Sequence, residues 1–151
     1  MQRLIILLSC VLFATLTWGN LALAQPSETL SEQGQRLAEA GDIKGALATF
    51  EQLAQSQPDS HEAYVSLGGM QLLDQRYSDA VRSFQRAISL GDQGTGSFIG
   101  MGMAYLHMGQ LGPARAAFIE ARTRGTDGTA DIDQIIAWID TRDSGDGMKM
   151  H

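Results

Sequence analysis

Cysteine is nearly absent from this chain of 151 residues. The one cysteine, Cys10, stands inside an N-terminal segment that we expect to be removed from the mature protein. Residues 25–151 then contain no disulfide, no thiol nucleophile and no thiolate metal site. Such a chain is compatible with an oxidising compartment, because only its methionines are open to oxidation there.

Basic side chains are also few. Eleven Lys and Arg residues stand against 17 Asp and Glu residues, which gives a net charge of −6. Nucleic-acid binding depends on neutralising phosphates with Lys and Arg, so this balance argues against a nucleic-acid partner. The same charge argues against adhesion to anionic lipid. The simplest consequence of the acidic surface is solubility.

The first 24 residues have the three-part plan of a secretory signal peptide. A short cationic start, Met1-Gln2-Arg3, precedes an almost wholly apolar, charge-free run from Leu4 to Trp18. The triplet Ala22-Leu23-Ala24 supplies the small residues of a cleavage site. We therefore expect cleavage after Ala24 and a bacterial periplasmic location. Two alternatives are an uncleaved anchor, although a membrane span needs about 20 apolar residues, and a lipoprotein acylated at Cys10.

Three residue types recur every 34 positions in the rest of the chain. This period, with small and aromatic residues in one register, is typical of stacked helix-turn-helix units, here residues 27–60, 61–94 and 95–128. Small residues let the two helices of a unit approach closely, and the large aromatic fills the space beside them. The scaffold residues are Gly34, Gly68 and Gly102 in the first helices, with Ala46, Ala80, Ala114, Phe50, Phe84 and Phe118 in the second.

On these residues the chain resembles the tetratricopeptide repeat family. The positions that match the family pattern best are Tyr64, Leu67, Gly68, Ala80, Phe84 and Ala87 in repeat two, and Phe98, Gly102, Tyr105, Ala114, Phe118 and Ala121 in repeat three. The resemblance implies an all-α fold, an α-solenoid of three helix-turn-helix units within residues 25–142. A capping helix at about 130–142, with an apolar stripe of isoleucines, would close the array. Residues 143–151 are expected to form a disordered tail.

Among the departures from the family pattern, two affect the connections between helices. The turn between the helices has Gly41 in repeat one and Gly109 in repeat three, but Gln75 in repeat two. The family's proline is missing at Asp92, where the glycine-rich segment 91–96 joins repeats two and three. Because glycine adds backbone freedom, we expect this joint to be looser than usual.

The resemblance also implies a binding surface, the concave groove formed by the first helices. The family's groove positions correspond here to Glu62, Val65, Gly69, Leu73, Ile99, Met103 and His107, with Leu72 and Leu106 either in the groove or in the core. In repeat one they include Glu28 and Glu39, so one end of the groove is acidic. No Lys, Arg or Asn stands at these positions, which argues against the family's carboxylate clamp.

These features predict a non-catalytic interaction module or scaffold of the bacterial cell envelope. Its partner would be a peptide or helix of an envelope assembly protein, apolar with some basic character. The alternative is a self-assembling structural protein, because three repeats with an apolar groove can also pair as a homo-oligomer.

No motif in the chain indicates an enzyme or a cofactor site. The run from Gly94 to Gly100 resembles a dinucleotide-binding glycine pattern, but it lacks the preceding strand. The three histidines do not stand at zinc-ligand spacing, and none has a Ser or Cys partner at a catalytic spacing. A weaker alternative is copper binding, because thioether and imidazole ligands suit copper and the chain contains Met103, His107, Met148, Met150 and His151.

Overall fold

The structure, a computed structural model, describes residues 28–125 and 129–146 of the chain. Within these ranges it contains seven α-helices and no strand, so the all-α prediction is confirmed. The predicted signal segment 1–24 lies outside the described residues. In none of the described helices is there a stretch long and apolar enough to cross a membrane. The helices are α1 (Leu30–Glu39), α2 (Ile43–Ser56), α3 (His61–Leu73), α4 (Tyr77–Ser89), α5 (Thr95–His107), α6 (Leu111–Arg124) and α7 (Thr129–Asp146).

Side-chain caps define where α1, α2 and α3 begin. Thr29 forms a capping box with Glu32: its hydroxyl accepts from the Glu32 N–H at 3.2 Å, and its own N–H donates to the Glu32 carboxylate at 2.8 Å. Asp42 and Ser60 accept hydrogen bonds from Gly45 N–H and Ala63 N–H in the same way. These caps satisfy backbone donors that have no partner within a helix, so the chain enters each helix at a defined residue.

Each repeating phenylalanine packs directly against the repeating glycine of its own unit. A β-carbon added to Gly34, Gly68 or Gly102 would lie 2.7, 2.8 or 2.8 Å from the phenyl ring of that unit. The alanines of the facing helix, Ala46, Ala80 and Ala114, are fully buried. The two helices of each unit therefore approach closely because neither carries bulk at the crossing, as the spacing predicts.

The core is divided into two clusters of buried residues. One joins α1, α2 and α3 around Phe50, and the other joins α4 to α7 around Phe84 and Phe118. Between α3 and α4 the Ser83 hydroxyl donates to the Gln71 side-chain carbonyl at 2.7 Å, and both side chains are buried. This hydrogen bond links the two sides of the division. Because each of the two bonded atoms is the other's partner, neither is buried without a hydrogen bond.

The turn between the two helices of a unit requires left-handed backbone at one position. That position is Gly41 in repeat one and Gly109 in repeat three, with φ of 78° and 71°. In repeat two Gln75 takes the same conformation, with φ of 63°, and it is the one non-glycine residue with positive φ in the described ranges. Repeat two therefore makes the same turn at a steric cost that the glycines avoid.

Replacing Gln75 with glycine is expected to stabilise the protein by about 0.5–1 kcal/mol. A left-handed non-glycine residue costs roughly 1–2 kcal/mol, and the greater freedom of glycine in the unfolded chain offsets about half of that gain. Urea denaturation followed by far-UV circular dichroism measures the change. The matched variant is Gly109→Gln, the same exchange in reverse, which should lower stability by a similar amount. A Gln75→Gly protein less stable than the wild type would contradict this account of the turn.

The glycine-rich joint 91–96 is fastened by Asp92, so the expectation of a loose joint is wrong. Asp92 is 8 % exposed, and one carboxylate oxygen accepts from the Gly94 N–H at 2.9 Å. The other oxygen accepts from the hydroxyl of Ser97, which is 1 % exposed. Asp92 thus ties the segment to the first turn of α5, where Gly94 at the cap position has no side chain of its own.

Helix α7 closes the array and is longer than the predicted cap. Ile132, Ile136 and Ile139 are buried against the second cluster, which confirms the apolar stripe, whereas Ile135 is half-buried. The helix continues to Asp146, so residues 143–146 are helical and not part of a disordered tail. Extending an existing helix gains one hydrogen bond per residue, and no proline interrupts the chain here. Residues 147–151 lie outside the described residues.

Candidate functional site

Two neighbouring first helices carry most of the residues predicted to form the groove. Helices α3 and α5 contact each other directly, although one belongs to repeat two and the other to repeat three. We use the term groove face for the surface formed by Val65, Gly69, Leu73, Ile99 and Met103. All seven predicted residues stand on these two adjoining helices, and five of them define the groove face. Their role in binding stays a prediction.

Apolar side chains on the groove face are exposed to an unusual degree. Leu73 is 59 % exposed and Ile99 is 36 % exposed, and Val65 is half-buried. Gly69 faces open space, because a β-carbon added there would meet nothing within 4 Å. Leu73 and Ile99 are two of the three large apolar side chains that are exposed among the described residues. Contiguous exposed apolar surface on a monomer often belongs to an interaction site.

Met103, Leu72 and Leu106 form the boundary between the groove face and the core. All three are half-buried and pack against the second core cluster. The sequence left open whether Leu72 and Leu106 lie in the groove or in the core. In the structure both side chains contact the core and keep part of their surface outside it. Leu106 also lines a cleft described below.

Glu62 lies in the first turn of α3, one turn before Val65. Its carboxylate accepts a hydrogen bond from the Ser60 hydroxyl at 2.8 Å and lies 3.2 Å from His61 Nε2. A hydrogen bond from its own backbone N–H, together with the one from Ser60, lowers the pKa of this carboxyl. Glu62 is therefore ionised at neutral pH, and it lines a cleft of about 300 Å³ between α1 and α3.

His107, the last residue of α5, is exposed and stacks on a neighbouring ring. Its ring stacks flat on Tyr77, the first residue of α4, with 4.7 Å between ring centroids and 1° between ring planes. This stack links the end of α5 to the start of α4. The weaker copper hypothesis relied on His107 and Met103 together with Met148, Met150 and His151. Those last three residues lie outside the described residues.

At the acidic end, Glu28 is engaged within its own repeat. Its carboxylate accepts hydrogen bonds from Arg36 at 2.8 and 3.1 Å. This hydrogen bonding by the Arg36 guanidinium lowers the pKa of Glu28. Glu39, at the end of α1, is exposed. In the part of the chain that the structure describes, no group of three or more His, Cys, Asp or Glu side chains is placed to hold a metal ion.

A second cleft opens between α5 and α7, and the sequence analysis did not single it out. We call it the C-terminal cleft; its volume is about 470 Å³ and its lining residues are Leu106, Asp131, Gln134, Ile135 and Trp138. Trp138 is 46 % exposed although it stands on a helix whose other large residues are mostly buried. The sequence did contain one signal of this cleft. Trp138 stands just outside the isoleucine stripe of α7, at a position where a capping helix needs only a polar residue.

Comparisons with a family model and with a curated protein point to the same family. Residues 31–95 match the family model described as tetratricopeptide repeat. The mouse protein named Tetratricopeptide repeat protein 36 is 32 % identical over 109 residues, which cover 70 % of this chain. The chain spans 59 % of the length of that curated relative.

Two solved structures have the same fold at low sequence identity. The TPR2B domain of yeast Sti1, in a complex with pHsp70, has a TM-score of 0.70 at 14 % identity, covering 75 % of this chain and 94 % of that one. The Yersinia enterocolitica secretion chaperone SycD, in complex with a peptide of the translocator YopD, has a TM-score of 0.72 at 14 % identity, covering 77 % and 93 %. The family-model match and the mouse relative, with the 34-residue register and the Phe–Gly packing of each unit, show that the chain is a tetratricopeptide repeat protein.

Proposed function

We propose that the protein is a non-catalytic interaction module of the bacterial cell envelope that binds a peptide or helix of another protein on its groove face. The observation that carries this proposal is the exposure of Leu73 and Ile99 on adjoining helices. Burying a fully exposed side chain of this kind contributes roughly 1.5–3 kcal/mol, so a partner that covered the exposed parts of these two would gain a fraction of that from each. Binding would be reversible docking, with no covalent step.

Relatives in fold give this proposal further support. In the structures of the yeast Sti1 domain and of Yersinia SycD, a tetratricopeptide repeat domain is in complex with pHsp70 and with a YopD peptide, respectively. The fold is therefore suited to holding a polypeptide segment. The envelope location rests on the signal-like residues 1–24, and an envelope assembly component is the partner that such a location favours.

The acidic character of the chain indicates which segments would bind. Glu39 and Glu62 are exposed near the repeat-one end of the array, whereas Val65, Leu73 and Ile99 are apolar. An apolar segment with basic residues at one end would complement both parts. The alternative is a homo-oligomer that buries the same apolar face. Light scattering over a range of concentrations distinguishes the two, because only self-association raises the mass of the pure protein.

Substituting both Val65 and Ile99 with glutamate is expected to reduce partner capture at least tenfold. The two residues occupy the same position in successive repeats, so the double variant places two charges where an apolar partner surface would lie. The measurement is a quantitative pull-down from envelope extract with the tagged full chain. Helicity should be unchanged by circular dichroism, because both side chains are partly exposed on helices.

The matched control carries Ala48→Glu and Ala116→Glu, two exposed positions on the second helices α2 and α6. It adds the same charge away from the groove face and should capture partners as the wild type does. Capture that survives the Val65/Ile99 double substitution, or that is lost equally in the control, would show that the groove face is not the binding surface.

A further inference from the structure

The C-terminal cleft lies at the end of the groove face. Ile99, Met103 and Leu106 stand at i, i+4 and i+7 of α5 and form one stripe on that helix. Ile99 and Leu106 are therefore about 10 Å apart along the helix. Since Leu106 also lines the cleft, a segment bound along this stripe would reach the cleft with its last few residues.

The walls of the cleft suit one large apolar side chain. Leu106 and Ile135 are half-buried, and Trp138 exposes 46 % of its surface. The volume of about 470 Å³ falls within the usual range of about 300–1,000 Å³ for ligand pockets. Tryptophan is also among the residues that most often dominate the energy of a protein interface. A helix that only closed the array would have no need of an exposed indole beside a cleft.

The indole of Trp138 is already held in place. The Arg142 guanidinium, one turn further along α7, lies over the ring at 3.9 Å from its centroid. This cation–π contact restricts the ring and covers part of it. A side chain positioned before binding loses less conformational freedom when the partner arrives, which favours affinity.

The charges around the cleft indicate which kind of residue a bound segment would carry next to the apolar side chain in the cleft. On α7, Asp133 is paired with Arg122 at 3.0 Å and Asp140 is paired with Arg115. Asp131, which lines the cleft, forms no ion pair with any residue in 28–125 or 129–146. A basic residue of a bound segment would complement this carboxylate, at the end of the cleft away from Arg142.

We propose that the C-terminal cleft receives one bulky apolar side chain, aromatic or leucine, from the partner segment, with a basic residue of that segment beside Asp131. The inference rests on the proposed function, because it names the part of the partner that binds at one end of the groove face. A second copy of the chain is the less suitable occupant, since a chain with a net charge of −6 would bring further acidic surface to Asp131.

The test selects ligands without assuming a partner. A display library of random dodecapeptides is panned against the full chain, and the most enriched peptide is synthesised with a fluorescent label. Its Kd is measured by fluorescence anisotropy for the wild type and for Trp138→Ala, Asp131→Lys and Ile99→Glu. The control is Asp59→Lys, an equal charge change at a side chain that is 92 % exposed in the turn before α3.

We expect the enriched peptides to share an aromatic residue or leucine close to a Lys or Arg. Trp138→Ala should weaken binding at least tenfold, and changing the peptide's anchor to alanine should have little further effect in that variant. Asp131→Lys should weaken binding at least fivefold and regain it when the peptide's basic residue becomes glutamate. Asp59→Lys should leave the Kd unchanged. Circular dichroism confirms that each variant is folded.

Three results would overturn the proposal, and they separate it from the proposed function. If Ile99→Glu abolishes binding and Trp138→Ala does not, the groove face binds ligands and the cleft does not. If no peptide is enriched over the unselected library, both the cleft and the groove face fail as peptide sites. If sedimentation shows a dimer that Trp138→Ala dissociates, the cleft holds a second copy of the chain.

Discussion

Replacing Phe84 with alanine is expected to lower the free energy of unfolding by about 3–5 kcal/mol, the range for removing a buried phenyl ring. The ring is 3 % exposed and lies in the larger of the two core clusters. It packs on Gly68 of its own repeat and on Gly100 of the next, so it joins repeats two and three. Two closely apposed glycine backbones leave little side-chain volume that could fill the resulting cavity.

Urea denaturation followed by far-UV circular dichroism measures the loss, and hydrogen exchange with mass spectrometry locates it. In Phe84→Ala, protection should fall most in α4 to α7, the helices of that cluster. Phe50→Ala is the matched variant, since Phe50 is equally buried in the other cluster and should affect α1 to α3 most. A Phe84→Ala protein within 1 kcal/mol of the wild type would contradict the packing described for this ring.

Enlarging Gly102 to leucine is expected to destabilise the protein by about 3 kcal/mol, at the upper end of the usual cost of overpacking. A β-carbon at this position would already lie 2.8 Å from the ring of Phe118, which is fully buried. The ring cannot move away without displacing its own neighbours in the core. The cost thus comes from loss of the close helix approach that the repeating glycine allows.

The same exchange at Gly69 should have the opposite sign. Gly69 also lies within a first helix, but a β-carbon there meets nothing within 4 Å. Leucine is the better helix former by roughly 1 kcal/mol, so Gly69→Leu should leave stability unchanged or raise it slightly. The comparison is made by urea denaturation of the two variants. Equal losses at both glycines would show that contact with Phe118 does not determine the effect.

The scaffold was predictable because each unit solves one packing problem with the same residues. A glycine, an alanine and a phenylalanine at fixed offsets specify a close helix crossing, and the structure contains that crossing three times. Gln75 and Asp92 were harder to interpret. The repeat register places Gln75 at the turn position of Gly41 and Gly109, but glutamine rarely adopts left-handed backbone. The sequence has no sign that Asp92 would turn inward to bond Gly94 and Ser97. Both depend on the position of neighbouring backbone, which composition does not reveal.

The candidate site was predictable only in part. Family register placed Val65, Ile99 and Met103 on the groove face, since those positions follow from the helical repeat. It did not indicate that His107 would stack on Tyr77, because a ring at the end of a helix can turn toward any neighbour. It missed the C-terminal cleft, because α7 lies beyond the last repeat and its spacing from α5 is set by packing.

The most direct test of the central claim, that the groove face binds another protein, is photo-crosslinking in cells that express the protein. A benzophenone amino acid is placed at Ile99 on the groove face and, in a second strain, at the exposed Ala116 on α6. The account predicts a discrete adduct with a different protein from position 99 and none from position 116. Adducts from position 116 alone, or only a dimer of the chain from position 99, would contradict it.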